Sequence, residues 1–281
     1  MNQSNLSQSS AVAAFRGLHE SGCFVLPNPW DAGTGVYLHN LGFKALATTS
    51  AGFAFSRGLP DSVSVIPRGT MLAHISDLVE ATPLPVNADF QNGYADEPEA
   101  VAESVALCVA SGVAGLSIED ATGNSDAPLY DFGLAVERIR AARSAIDEAG
   151  IPVVLTARCE SWLVGSPNPD RVALERLVAF AEAGADCLYA PGVRTPDDIT
   201  TIVKAVAPQP VNVLVSTPNC DISVSQLADL GVRRVSVGAA LARVAWGAFI
   251  RSARRIAEAG SFDDFAEAAS FAELNDLFLH R

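Results

Sequence analysis

Short apolar runs, many of them β-branched, alternate along this chain with Ala-rich stretches whose apolar positions recur at helical spacing. The runs predict strands over 24–27, 45–49, 85–89, 115–119, 153–157, 187–189, 211–215 and 234–237. The stretches between them predict helices, among them 99–111, 134–149, 172–183, 196–206 and 224–230. Gly112, Gly150, Gly184 and Gly231 stand where a helix stops and a strand follows, the position at which glycine accepts a left-handed backbone.

Strand-then-helix units without a break in composition predict one α/β domain over residues 11–281, a (β/α)8 TIM barrel. The polar start MNQSNLSQSS predicts a flexible tail over 1–10. A doubly wound sheet would carry G-x-G-x-x-G after its first strand, and none is there. Residues 238–281 follow the eighth strand and read as helical over 241–259 and 262–279. One helix completes a barrel. The surplus, bearing Phe262, Phe265, Phe271, Leu274, Leu277 and Phe278, is expected against a neighbouring subunit or across the barrel floor.

Composition narrows the partners. Of 281 residues, 49% are apolar and 18% charged, enough to bury a large core. Asp and Glu total 32 against 19 Lys and Arg, and the net charge of −13 repels nucleic acid and anionic membrane. Lys44, before a strand, and Lys204, in a helix, are the only lysines, which argues against a Schiff-base enzyme. Cys23, Cys108, Cys159, Cys187 and Cys220 form no C-x-x-C pair and read as reduced thiols of a cytoplasmic protein. No signal peptide or membrane span is predicted. His19, His39, His74 and His280 all miss the strand ends and G-x-S-x-G is absent, so a Ser-His-Asp hydrolase is excluded.

A barrel of this kind works at the C-terminal ends of its strands. There the sequence places Thr49-Ser50-Ala51-Gly52, Asp61, Asn87-Ala88-Asp89, Gly93-Tyr94, Glu119-Asp120, Arg158-Cys159-Glu160 and Asn212. Asp61, Asn87, Asp89 and Glu119 form an all-oxygen donor set, which selects Mg²⁺ or Mn²⁺ over Zn²⁺. Acids at strand ends also cap helices or form ion pairs, but four on one rim favour the metal. Arg158 suits a carboxylate or phosphonate clamp, an ion pair with Glu119 or Glu160, or both. The turn at Thr49, Ser50 and Ala51 offers backbone N–H groups to an anion. Trp30, with Asn28 and Asp31, either lines the pocket or plugs the barrel mouth. Cys159 is turned into the core by strand alternation. Tyr130 and Asp131 close a loop that is either a lid or a surface segment.

These motifs, in this order and spacing over roughly residues 12–250, resemble the isocitrate lyase / phosphoenolpyruvate mutase superfamily. The carriers are Gly58-Leu59-Pro60-Asp61, Asn87-Ala88-Asp89 with Gly93-Tyr94, Ile118-Glu119-Asp120 and Ala157-Arg158. The resemblance implies a barrel whose last helix is exchanged between subunits, commonly in a homotetramer. It implies a Mg²⁺ site for 2-oxo or 2-hydroxy carboxylates, with Asp61, Asn87, Asp89 and Glu119 on the metal. Backbone N–H groups of Ser50 and Ala51 would then take the substrate carboxylate and Arg158 its anionic end. Three departures stand out. The usual D-x-D reads Asn87-Ala88-Asp89, the K-[KR]-C-G-H lyase loop is replaced by residues 121–131 without Cys, His or Lys, and the mutase lysine is missing as well.

Those absences point to chemistry that a metal largely performs alone: cleavage of a C–C bond in a 2-oxo dicarboxylate, as in oxaloacetate decarboxylation, through an enolate stabilised by the ion. Tyr94 or water would return the proton. Two alternatives are P–C bond mutation or hydrolysis of a phosphonopyruvate-type substrate, and a barrel that binds 2-oxo acids without turnover.

Overall fold

The computed structural model describes residues 3–63, 65–218 and 222–279, so Cys220 and His280 lie outside it. All eight expected strands form: β1 (Phe24–Leu26), β2 (Leu46–Ala47), β3 (Val86–Asp89), β4 (Gly115–Glu119), β5 (Val154–Arg158), β6 (Cys187–Tyr189), β7 (Val211–Leu214) and β8 (Arg234–Ser236). They pair in parallel in the order β1-β8-β7-β6-β5-β4-β3-β2. Across the remaining gap the Ala47 amide donates to Pro27 O at 3.0 Å, so the barrel is nearly closed.

Parallel neighbours require crossovers, and helices supply them. These are α1 (Gln3–Glu20), α2 (Ala32–Asn40), α3 (Ser50–Ser56), α4 (Arg68–Ala81), α5 (Pro98–Ala110) and α6 (Phe132–Glu148), followed by α7 (Pro169–Glu182), α8 (Pro196–Val206), α9 (Val224–Asp229), α10 (Ala240–Ala259) and α11 (Phe271–Leu279). Local chemistry sets several starts. Proline opens α5, α7 and α8, where its missing N–H has no partner to lose, and Asp31 and Ser223 close capping boxes on α2 and α9. The result is the (β/α)8 TIM barrel with extra C-terminal helices.

Strand alternation sorts the side chains. Leu116, Ile118, Leu155 and Val213 face outward into the apolar layer under the helices. Ser117, Glu119, Arg158 and Asn212 face the barrel interior.

The bottom of the barrel is sealed by α1. Phe15 is fully buried there, and a Cβ on Gly115 would stand 2.6 Å from both its ring and Asn87 Oδ1, so only glycine fits beneath them. Residues 3–10 are the first turns of α1. Gln8 Nε2 donates to Val109 O at 2.8 Å and Val113 O at 3.0 Å, which ties that end down.

With the floor taken, the C-terminal helices go elsewhere. Phe278 of α11 comes within 3.5 Å of the space that a Cβ on Gly33 of α2 would fill. Their outer faces stay open, with Val244, Phe249, Phe262, Phe265, Phe271 and Leu279 all exposed, Phe271 at 88%. Among the described residues, no helix is long and apolar enough to cross a membrane.

Candidate active site

Asp89, at the end of β3, is held from three sides. Thr49 caps α3 by accepting from Gly52 N at 3.1 Å, and this turns the backbone so that Ser50 N and Ser50 Oγ both donate to Asp89 Oδ2 at 2.8 Å. Thr48 Oγ1 accepts the Asp89 amide at 2.8 Å. Arg158, at the end of β5, reaches Asp89 Oδ1 at 2.7 Å, Glu119 Oε2 at 3.2 Å and Glu160 Oε1 at 2.9 Å. Both ion pairs anticipated for Arg158 therefore form, with a third at Asp89. Nε donates to Glu160 and Nη1 to Asp89, while Nη2 stands within ion-pair distance of Glu119 and Glu160. The guanidinium also lies 5.0 Å from the Tyr189 ring centroid. Behind this set Asp120 accepts the Glu160 amide at 2.8 Å and pairs with Arg176 at 3.0 Å, fixing the turn that presents Glu160.

Three carboxylates around one guanidinium leave excess negative charge away from water. Burial pushes the Glu119 carboxyl well above the usual carboxylate range. Arg158 opposes the shift, while Glu160, Asp89 and Asp120 add to it. Glu160 is raised by burial too, again against the pull of Arg158. Asp61, at the mouth, is raised by partial desolvation and by the Asp89 charge.

A cavity of about 280 Å³ runs down the barrel from these groups. Thr49, Ser50, Ala51, Asp61, Asn87, Asp89, Arg158 and Asn212 all line it. It continues into a space of about 520 Å³ bounded by Asp61, Gln91, Glu119, Glu160 and the loop between β4 and α6. Asn87 lies one inward step below Asp89. Its Nδ2 donates to Ala88 O at 3.2 Å, and its buried Oδ1 has no partner among the described residues. The Ser50 N–H, expected to meet substrate, is engaged by Asp89.

Two expected residues line neither space. Trp30 packs with its Cβ 3.1 Å from where a Cβ on Gly52 would stand. Tyr94 has a left-handed backbone (φ 58°) and its ring packs on Phe90 at 5.0 Å. Its hydroxyl is buried with no partner among the described residues, and burial pushes the phenol far above its ordinary range. The charges of Asp89 and Glu119 raise it further. Cys159 is buried as expected, its thiol pushed up by desolvation.

The β4–α6 loop arches over the mouth. Ala121 bridges Leu129, and a Cβ on Gly123 would lie 2.9 Å from Val63 Cβ, so the tip touches the opposite loop. Tyr130 anchors its far end, donating to Asp96 Oδ1 at 2.5 Å with its ring under Arg138, 3.9 Å from the guanidinium carbon. Sequence reasoning passed over Gln91, Tyr189 and Arg234. Arg234 carried a signal, since a charged residue within a central strand of a closed barrel has to point somewhere unusual.

Among the described residues, no three His, Cys, Asp or Glu side chains gather closely enough to ligate an ion by themselves, because Arg158 stands between the acids. Mg²⁺ needs only one or two carboxylates and completes its octahedron with water and substrate oxygens. The all-oxygen donors and the surplus negative charge at the head of the cavity fit such an ion, while Asn87 Oδ1 is turned toward Gly115 and Phe15.

The family model for phosphoenolpyruvate phosphomutase matches residues 15–257. The Mycobacterium tuberculosis protein Rv1998c is 31% identical, with 93% of this chain and 94% of that protein covered. A Burkholderia cenocepacia J2315 structure described only as a lyase or mutase is 48% identical, covers 97% of this chain and 96% of its own, and superposes with a TM-score of 0.92. The structure of oxaloacetate acetylhydrolase with its product oxalate is 25% identical, with coverage of 96% and 94% and a TM-score of 0.84. The chain therefore belongs to the phosphoenolpyruvate phosphomutase family, among the lyases and mutases of the isocitrate lyase / phosphoenolpyruvate mutase superfamily.

Proposed function

We propose that this enzyme is a Mg²⁺-dependent carbon–carbon lyase that decarboxylates a small 2-oxo dicarboxylate of the oxaloacetate type, with 2-hydroxy dicarboxylates as related ligands. The observation that carries this reading is the Arg158 cluster, where Asp89, Glu119 and Glu160 lie within 3.2 Å of one guanidinium at the head of a polar cavity. Likeness to oxaloacetate acetylhydrolase supports the substrate class.

Asp89, Asp61, Glu119 and Asn87 would hold the ion, directly or through water. When bound, Mg²⁺ or Mn²⁺ supplies Lewis-acid withdrawal of charge from a 2-oxo group. Ser50 and Thr48 keep Asp89 in place while charge moves. Arg158 and the Ala51 side of the turn receive the carboxylate next to the reacting carbon. Loss of CO₂ requires no base. Water or Tyr94 then returns the proton, since residues 121–131 hold no Cys, His or Lys.

The test is pyruvate release from oxaloacetate by purified protein with Mg²⁺. A rate no higher than that of the metal alone sinks the proposal. The phosphomutase family match favours one rival, P–C chemistry on phosphonopyruvate, which phosphorus NMR would reveal as a new resonance. The open apolar faces of α10 and α11 fit burial in a homo-oligomer, dimer or tetramer, with helix exchange between subunits, which light scattering checks. The free thiols of Cys23, Cys108, Cys159 and Cys187 suit the cytoplasm.

A further inference from the structure

Arg234 opens β8 inside the barrel. Only 2% of it is exposed, and it lines the cavity floor. Its Nε donates to Asn212 Oδ1 at 2.9 Å, its Nη2 donates to Thr156 Oγ1 at 3.0 Å, and its Nη1 faces His19 Nε2 at 3.4 Å. Each of these partners is neutral. His19 is fixed in that state by its own geometry. Its Nδ1 lies 2.7 Å from Phe15 O, which only accepts, so Nδ1 carries the proton and Nε2 is left to accept. Burial, then the Arg234 charge, pushes its pKa down to about 3. Among the described residues Arg234 has no carboxylate partner, and a buried charge without a counter-ion is costly.

A guanidinium has donors and no acceptors. The Asn212 atom facing Nε must therefore be the carbonyl oxygen, and its NH₂ must face the other way. One of those hydrogens goes to Ser236 Oγ at 2.9 Å; the other remains for the cavity that Asn212 lines. Ser236, having accepted, has its own hydroxyl proton engaged by the Tyr189 oxygen. Without Arg234 the Asn212 amide could present either end.

We propose that Arg234 is a positioning residue for substrate selection: it locks the Asn212 amide with its NH₂ toward the cavity, and that donor together with the unneutralised Arg234 charge takes the distal carboxylate of the substrate. Resting on the dicarboxylate reading above, this narrows it, because the second arm must be an ionised acceptor and not a methyl, amide or hydroxyl group.

Malate and 2-hydroxybutyrate share a four-carbon 2-hydroxy acid framework and differ in the distal carboxylate. Calorimetry on the Mg²⁺-loaded enzyme is expected to show malate binding about tenfold more tightly, the scale of a charge-assisted hydrogen bond. In Arg234→Met the ratio should fall to about one, while oxalate, which has no distal arm, binds as before. A merely structural role for Arg234 would weaken oxalate as well. A malate preference that survives in R234M, or none in the wild type, overturns the proposal. If R234M does not fold, Asn212→Asp decides: Arg234 keeps the new carboxylate in place, and malate binding should be lost with oxalate binding retained. Retained malate binding in N212D overturns the proposal. Oxaloacetate turnover is scored separately: no pyruvate release with the malate preference intact defeats the lyase reading and leaves the Arg234 assignment standing.

Discussion

Arg158 and Arg234 stand on the inner wall of one barrel in opposite company. Arg158 has three carboxylates within 3.2 Å; Arg234 has an amide oxygen, a hydroxyl and a neutral imidazole. Either charges or dipoles can hold a buried cation, and the choice leaves different residues of field behind. The β3–β5 half of the cavity is left negative and attracts a metal ion. The β7–β8 half is left positive and attracts an anion. A ligand carrying a chelating head and a charged tail has one way to lie in such a field.

The deepest break in that contrast is Asp89→Asn, which removes the charge that Ser50, Thr48 and Arg158 jointly position. A fall of about 10³-fold in kcat/KM is expected on oxaloacetate, the scale seen when a preorganised electrostatic group is lost; a fall below tenfold would remove Asp89 from the chemistry. Next comes stability. Arg158→Met strands three acids and should lower the unfolding free energy by about 3–5 kcal/mol, whereas Arg234→Met strands only neutral groups and should cost about 1–3 kcal/mol, both read from denaturant melts. Equal losses would show that the two environments do not differ as described. Ser50→Ala keeps the backbone donor to Asp89 and removes one hydroxyl, so about a tenfold drop in kcat/KM is expected, with about 1 kcal/mol of stability.

The smallest effect concerns His19. Its folded pKa of about 3 lies below the ordinary 6.5, so the unfolded chain takes up the proton first as pH falls. The stability it contributes is complete above pH 6.5 and is lost on descending toward 3. His19→Phe keeps the ring packing with Phe15 and Phe24 and should flatten the fall in Tm across that window relative to wild type. An unchanged slope would place the acid sensitivity elsewhere.

The strands were legible because apolar runs ending in polar residues, several of them preceded by a helix-stopping glycine, are local signals. The acid cluster was legible for the same reason: Asp89, Glu119 and Arg158 sit at strand ends, and in a barrel those ends converge. Direction was harder to read. Tyr94 follows Gly93 into a left-handed backbone and packs its ring on Phe90, and Trp30 turns onto Gly52. The polar character of residues 1–10 concealed a helix whose anchors, Val109 and Val113, are over 100 positions away. The polarity of the far wall depends on one atom-to-atom match between Arg234 and Asn212, which no periodicity encodes.

The seal beneath the barrel bears on how the molecule is made. Phe15 leaves the ribosome early, yet its socket includes Gly115, and the contacts of Arg16 and His19 on Asp186 and Arg234 span 170 and 215 positions. The first helix of the chain therefore meets its last partner, Arg234, only when nearly all of the barrel has been synthesised, and its complete docking reports completion of the last strand. Chains released before β8 would expose both an empty socket and an idle helix, features by which quality control can tell a truncated product from a finished one.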